Sequence, residues 1–151
     1  MSIDQPAPVA LDPDTGEFFE AAKAGRLVVR WCGDCHAYVH LPAAACNHCG
    51  SWNTSWIDVA PTGRVYSWTV VERQFRAAFP VPYTVVLVEL DAAPEVRLVG
   101  HLPGRPGIGL GTALIADFEH RGQTALPRWR VAETADGLRT EDNPAVRSAT
   151  T

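Results

Sequence analysis

Apolar and polar positions divide the chain into one short helical segment and a longer series of strand-like segments. Asp14 and Glu17 have the spacing of a capping box, with Asp14 as the predicted N-cap, and Gly25 marks the end of the helix. Between them lies an apolar stripe of Phe18, Phe19, Ala21 and Ala22. A helix of about three turns is marginal in water. We therefore expect the two phenylalanines to pack on the module behind them or to grip a partner protein.

Three strand patterns surround the four cysteines. Residues 27–31 lead into the first cysteine pair, residues 38–41 form the expected hairpin partner, and residues 54–59 follow the second pair. This order is that of a zinc ribbon. Residues 61–63 (Pro-Thr-Gly) are the best candidate boundary, because the metal module is complete there and a new strand pattern begins.

Five further strand patterns follow, at residues 63–75, 83–90, 96–101, 112–118 and 125–131. Strict alternation in the first would place Tyr66, Trp68 and Val70 on one face. Residues 102–111 carry four glycines and two prolines among their ten positions and are predicted to be a long loop. Five short antiparallel strands in about 70 residues are typical of a small closed barrel such as an OB-fold.

The predicted fold is therefore mainly β, with an N-terminal helix, a rubredoxin-like zinc ribbon and a five-stranded OB-fold barrel. The predicted divisions are a flexible arm at residues 1–13, the helix and ribbon at 14–62, the barrel at 63–132, and a disordered tail at 133–151.

Composition narrows the classes of function. The chain has 151 residues and a net charge of −4, which provides no general basic surface for a polyanion and argues against nucleic acid as a partner. No apolar run approaches the roughly 18–20 residues of a membrane helix, and the N-terminus lacks the pattern of a signal peptide. We expect a cytoplasmic protein that does not bind membranes.

The cysteines carry the strongest chemical signal. They form two Cys-x-x-Cys pairs, Cys32 with Cys35 and Cys46 with Cys49. Two intervening residues let a tight turn aim both sulfurs at one ion, and two such knuckles complete a tetrahedron. Iron in a rubredoxin-like site and redox chemistry at either pair are the alternatives. With four thiolates the nearby His36, His40 and His48 are unnecessary as ligands, and the closed site is structural.

No catalytic constellation is evident. Motifs for an elbow serine, a phosphate loop or a zinc protease are absent from the sequence, and His101 and His120 are expected at the surface or in packing roles. The most distinctive other stretch joins the first two barrel strands and contains Arg73, Phe75, Arg76, Phe79 and Tyr83. Its aromatics suit an apolar chain or an adenine ring and its arginines suit phosphates, or else its phenylalanines fold back onto the barrel mouth.

These features together resemble one family. Its pattern matches residues 18–27, the two knuckles, residues 63–71 (GRVYSWTVV), residues 81–83 (VPY) and residues 126–129 (LPRW). The family is that of the acyl-CoA-associated proteins with an N-terminal helix, a zinc ribbon and an OB-fold, catalogued as domain of unknown function 35. The resemblance spans about residues 14–131. Residues 103–107 (PGRPG) depart from it, so ligand contacts are not transferred to that loop.

The resemblance implies a non-catalytic subunit that binds acyl-CoA and forms a hetero-oligomer with a thiolase-fold enzyme, such as a thiolase, a synthase or a side-chain aldolase. Pairing with a hot-dog-fold enoyl-CoA hydratase is the alternative within the family, and a nucleic-acid-binding protein is the alternative outside it. The expected contacts with acyl-CoA or the partner lie on the helix and on the loop between the first two barrel strands: Phe18, Phe19, Arg73, Phe75, Arg76, Phe79 and Tyr83.

Overall fold

The computed structural model describes residues 12–133, which form one helix and eight strands. The predictions for residues 1–11 and 134–151 lie outside this range. The elements, in chain order, are α1 (Gly16–Lys23), β1 (Leu27–Cys32), β2 (Tyr38–Val39), β3 (Thr54–Val59), β4 (Thr62–Val71), β5 (Tyr83–Leu90), β6 (Arg97–Pro103), β7 (Ala113–Arg121) and β8 (Thr124–Val131). The predicted mainly β class is confirmed.

The N-terminal helix begins later than the capping pattern predicts. Its N-cap is Thr15, which makes no side-chain cap hydrogen bond, so the prediction of Asp14 as N-cap with Glu17 closing a box is wrong. The carboxylate of Asp12 instead accepts the backbone N–H of Asp14 at 2.7 Å and starts a turn ahead of the helix. The C-terminus is as expected, since Gly25 has a φ of +72°. The N–H groups of Gly25 and Arg26 close a Schellman motif on the carbonyls of Ala22 and Ala21.

The ribbon sheet has the order β2-β1-β3 and is antiparallel throughout. The register pairs Cys32 with Thr54 and Leu27 with Val59, so β1 is covered along its whole length by β3. The predicted strands are present, although β2 is limited to two residues.

The second sheet has the order β6-β5-β4-β7-β8, with every neighbouring pair antiparallel. Its edge strands β6 and β8 pack against each other and close the barrel. Gly100 on β6 makes this closure possible, because a Cβ there would collide with the indole of Trp129 on β8. Trp129 is 1% exposed and is among the largest side chains of the core.

A bulge in β4 changes the predicted faces of that strand. Val65 pairs with Val88 and Ser67 with Leu87, which leaves Tyr66 as an extra residue. Tyr66 therefore faces outward, where the guanidinium of Arg97 lies 3.8 Å from its ring centroid. Trp68 pairs with the buried Val86 and so lies on the face of the sheet opposite to Tyr66, although its own side chain is 39% exposed. The prediction that Tyr66 and Trp68 lie on one face is wrong, because an inserted residue reverses the alternation.

The ribbon and the barrel share one hydrophobic core. Leu27 and Val29 of β1 are buried in the same cluster as Val86 and Trp129 of the barrel, and Phe18 of α1 packs against it. Polar contacts connect the ribbon to the β5–β6 turn: the Tyr38 hydroxyl donates to the carbonyl of Ala92, and His40 Nε2 donates to the carbonyl of Arg97, each at 2.9 Å. The ribbon therefore covers the end of the barrel where β5 finishes. The division at residues 62 and 63 stays a prediction, although β4 begins at Thr62.

Candidate metal centre and ligand surface

Two similar backbone turns present the four cysteines. In the first knuckle, the N–H of His36 donates to the carbonyl of Cys32 at 3.0 Å; in the second, the N–H of Gly50 donates to the carbonyl of Cys46 at 2.8 Å. The residue after each second cysteine has a positive φ, +57° at His36 and +75° at Gly50. Glycine adopts this conformation without strain, whereas histidine does so at a cost. The knuckles are therefore equivalent turns built from different residues.

The sulfur atoms lie where a tetrahedral ion requires them. All four Sγ atoms are within 4.8 Å of one another, with 3.7 Å between those of Cys32 and Cys49 and 3.6 Å between those of Cys35 and Cys46. Zinc–sulfur bonds of about 2.3 Å place tetrahedral sulfurs about 3.8 Å apart. The donor set and its spacing both fit zinc, and four thiolates leave no open position for water or substrate. The predicted zinc ribbon is confirmed, and this closed centre is structural.

The thiols of Cys35 and Cys46 differ in how readily each gives up a proton. Burial raises the pKa of Cys35 to about 12. Burial also opposes ionisation of Cys46, but the backbone N–H groups of Cys49 and His48, together with the neighbouring thiols, lower its pKa to about 6. The pKa of Cys49 is also raised, so a bound metal must displace the protons that Cys35 and Cys49 keep at neutral pH, and its affinity falls as the pH is lowered.

A polar bridge connects the two knuckles. The carboxylate of Asp34, inside the first, accepts hydrogen bonds from Ser51 Oγ at 2.5 Å and from Asn53 Nδ2 at 2.7 Å, both beyond the second. These two bonds lower the pKa of Asp34 below its ordinary value. The apolar support is small, consisting of Cys32, Val39 and Cys46 with Ala43 packed beside them. Within residues 12–133, the cysteines form the one cluster suited to a metal, and it includes none of the nearby histidines.

Phe18 and Phe19 of α1 are only half-exposed. Their rings meet edge to face with centroids 5.4 Å apart, and Phe18 also lies 6.5 Å from the ring of Trp56 in β3. Phe18 is packed against the common core. Packing on the module behind the helix is therefore a major role of Phe18, and partner contact by the pair stays a prediction.

The loop between β4 and β5 divides into an exposed half and a packed half. Phe75 is 75% exposed, and the guanidinium of Arg73 lies 5.8 Å from its ring centroid. Arg76 is exposed, and its carbonyl accepts the N–H of Phe79 at 3.1 Å. Phe79 then turns back to lie 6.2 Å from the ring of Tyr83.

Strand register brings a histidine to these aromatics. Tyr83 pairs with Pro103 and Val85 with His101, so His101 lies diagonally across from Tyr83 on the outer face of the barrel. The ring centroids are 5.2 Å apart for Tyr83 and His101 and 6.5 Å apart for Phe79 and His101. His101 was not among the contact residues predicted from the sequence. If the residues of β5 and β6 are paired outward from a turn centred near Ala93, His101 falls opposite Val85 and therefore next to Tyr83.

Three arginines at the end of the barrel away from the ribbon, where Tyr83 and His101 lie, have no carboxylate partner among residues 12–133. Six others form ion pairs: Arg26, Arg64, Arg97, Arg105, Arg121 and Arg130. Arg30 bonds to Thr54 and lies over Trp56 in the ribbon. The remaining arginines are Arg73 and Arg76 in the β4–β5 loop and Arg128 on β8.

Arg128 also lies at a cleft of about 500 Å³ between the end of β6 and the β7–β8 hairpin. The apolar lining of this cleft comes from Leu102, Pro103, Pro106, Phe118, Trp129 and Val131. Asp117, Glu119 and Arg130 contribute charged groups, each within an ion pair: Asp117 with Arg130 and Glu119 with Arg121. Burial, followed by the charges of Arg121 and Arg128, lowers the pKa of the adjacent His101, with Glu119 opposing. Its ring is therefore neutral at neutral pH.

No helix among the described residues is long and apolar enough to cross a membrane.

Comparison with known proteins matches both modules. Residues 19–53 match the family described as "ChsH2, rubredoxin-like zinc ribbon domain", and residues 56–119 match "ChsH2, C-terminal OB-fold domain". A solved chain of the "Ltp2-ChsH2(DUF35) aldolase" is 36% identical with a TM-score of 0.73, covering 84% of this chain and 98% of that one.

Two further relatives are more distant or longer. A DUF35 protein of unknown function from Sulfolobus solfataricus shares the fold, with a TM-score of 0.57 at 16% identity over 80% of this chain and 86% of that one. A "Probable enoyl-CoA hydratase alpha subunit" of Thermomonospora curvata is 39% identical over 126 residues, which are 82% of this chain. This chain spans 39% of the length of that relative.

Proposed function

The chain belongs to the ChsH2 (DUF35) family of zinc-ribbon and OB-fold proteins, and from this membership we propose that it is an accessory subunit of a thiolase-like enzyme. The observation that carries the proposal is the 36% identity to the DUF35 chain of the Ltp2-ChsH2 aldolase, over 98% of that chain. Because the match covers nearly all of that chain, the two proteins share the whole unit of helix, ribbon and barrel. The partner subunit supplies the reacting groups.

The finer part of the proposal is that the barrel helps to form the acyl-CoA site of the complex. Its support is the end of the barrel away from the ribbon, where Arg73 and Arg76 have no carboxylate partner and the aromatic Phe75 is 75% exposed. Guanidinium groups bind phosphates, and exposed rings accept apolar or planar groups.

Co-expression with the thiolase-like protein encoded beside it tests the assembly. We expect the two chains to co-elute in gel filtration and the partner to lose activity on its acyl-CoA substrate when this chain is omitted. Separate elution, with a partner fully active alone, would contradict the proposal.

A charge reversal tests the acyl-CoA contact within that complex. Arg76→Glu should raise KM for the CoA ester about tenfold, equivalent to about 1.4 kcal/mol, because a charge-assisted contact with a phosphate is lost. Arg76 is exposed, so folding and zinc content should not change. The control is Arg105→Glu, which removes a cation already paired with Glu72 at 2.7 Å. Unchanged kinetics in the Arg76 variant would remove this residue from the site.

The Thermomonospora relative favours a second candidate, an accessory role with an enoyl-CoA hydratase. Its 39% identity supports this alternative, but this chain spans only 39% of its length. Assaying each reconstituted complex for carbon–carbon bond cleavage and for hydration of an enoyl-CoA separates the two candidates.

A further inference from the structure

The aromatic and cationic groups that converge on the free end of the barrel fit a ligand with both phosphates and a planar ring. Phe79 and Tyr83 enter from the β4–β5 side, His101 from β6, and Arg128 from β8. We call these four side chains, together with Arg76, the barrel-end surface. Tyr83 and His101 are brought together by the register of β5 and β6, and Arg128 on β8 joins them because the barrel closes.

The charge of this surface differs from that of the chain. The chain carries a net charge of −4, and the arginines in ion pairs are neutralised by their carboxylates. Arg76 and Arg128 have no carboxylate partner among residues 12–133, and the two acids that line the cleft with Arg128, Asp117 and Glu119, are bound to Arg130 and Arg121. A local cationic site remains on an acidic protein. Guanidinium groups of this kind bind phosphate oxygens in bidentate geometry.

The rings provide a platform rather than a polar pocket. The planes of Tyr83 and His101 are inclined by only 35° with centroids 5.2 Å apart, so a purine can stack on one or both. Because His101 is neutral, it does not repel Arg76 and Arg128. Its uncharged ring can stack on a purine. Base–aromatic stacking contributes substantially to nucleotide binding and tolerates many bases.

The cleft continues this surface in one direction. Leu102 and Pro103 follow His101 directly and line the cleft together with Arg128. A ligand whose phosphates lie at Arg128 can therefore extend a long, mostly uncharged arm along Leu102, Pro103 and Phe118. The ribbon covers the opposite end of β5, roughly 23 Å away for an eight-residue strand, so it does not block the cleft.

We propose that the barrel-end surface binds the nucleotide end of a CoA ester, with the phosphates on Arg76 and Arg128, the ring on Tyr83 and His101, and the pantetheine arm along the cleft. This inference rests on the proposed acyl-CoA role and extends it to His101 and Arg128, which were not among the contact residues predicted from the sequence. It directs the thioester away from this chain, toward the partner that reacts with it.

The test uses the full-length, zinc-loaded chain without its partner. Calorimetric titration with CoA and with adenosine 3′,5′-bisphosphate should show binding of both, and pantetheine and inorganic phosphate should bind far more weakly. Arg128→Gln should weaken both nucleotide probes about tenfold, and so should Tyr83→Leu, which removes the stacking face.

Arg64→Gln is the matched control, because it deletes one guanidinium at the opposite end of the barrel, where Arg64 is paired with Asp91 at 3.3 Å. It should leave both affinities unchanged. Should Tyr83→Leu fold poorly, Arg128→Gln, an exposed substitution, still decides the question. Equal losses in the Arg64 and Arg128 variants, or no binding of either nucleotide probe, would overturn the assignment.

Two outcomes separate this inference from the proposed function. If the chain joins a thiolase-like partner but neither CoA nor the bisphosphate binds at Arg128, the nucleotide site is wrong and the accessory role stands. If CoA binds with the expected dependence on Arg128 but no partner co-elutes, the site stands and the accessory role fails. Tighter binding of a single-stranded RNA oligonucleotide through the same arginine would overturn the assignment to CoA.

Discussion

The ribbon and the barrel achieve stability in different ways. The ribbon has a local apolar cluster of three buried residues, two of which are cysteines, so its knuckles depend on the four sulfurs and their metal. The barrel has an extensive core of Leu and Val side chains closed over Trp129. A small module without room for a core uses metal–sulfur bonds, whereas a five-stranded barrel encloses enough apolar surface to hold itself. Their shared residues, Leu27 and Val29, then make each module sensitive to the other.

Removing the metal should have the largest effect on the stability of the ribbon and the barrel. We expect the purified chain to carry one zinc ion, and Cys46→Ser or chelation to unfold the knuckles, since such sites contribute about 10–16 kcal/mol of apparent binding free energy in small zinc peptides. Because β1 also belongs to the barrel core, the barrel should lose stability too, and the Cys46→Ser chain should aggregate.

Metal analysis and hydrogen exchange of the two modules check this expectation. Asn47→Ser, an exposed change within the same knuckle, is the control and should keep the zinc. A well-folded sample with no bound metal would contradict the role of the centre. A barrel that keeps its full exchange protection after chelation would contradict the shared core.

Overpacking the barrel seam should have an intermediate effect on stability that leaves the metal centre intact. In Gly100→Ala the new methyl collides with the Trp129 indole and lies 2.9 Å from Cγ1 of Val86, which should lower the free energy of unfolding by about 1–3 kcal/mol. Zinc content should be unchanged, because Gly100 lies on the barrel sheet, whereas the cysteines lie in and around the ribbon sheet.

Urea unfolding measures this loss of stability. Gly107→Ala is the matched control, since a Cβ at Gly107 meets nothing within 4 Å. Equal midpoints for the two variants would show that β6 and β8 can separate without cost, and the seam would then not be part of the barrel core.

The sequence was sufficient for the features that local chemistry determines. The spacing of the cysteines predicted the metal centre, and strand periodicity predicted β3 and β5 with their observed bounds. It was insufficient where two distant segments meet. The bulge at Tyr66 follows from barrel curvature, and the approach of Trp129 to Gly100 follows from closure. His101 and Arg128 join the aromatic loop only through strand register and closure, so a linear motif centred on Arg73 and Phe79 did not include them.

The smallest predicted effect concerns the difference between the two knuckles themselves. His36 and Gly50 occupy equivalent positions with positive φ, where a residue with a Cβ carries a cost of roughly 1 kcal/mol. His36 recovers part of this cost by stacking on Trp31, with centroids 6.0 Å apart and planes inclined by 23°.

We therefore expect His36→Gly to raise the free energy of unfolding by less than about 1 kcal/mol, whereas Gly50→Ala should lower it by about 1 kcal/mol. His36→Ala, which keeps the strain and removes the stack, should be less stable than either His36→Gly or the natural chain. Thermal unfolding of the zinc-loaded proteins ranks the four chains, and a His36→Gly chain less stable than the natural one would mean that the stack on Trp31 outweighs the backbone strain.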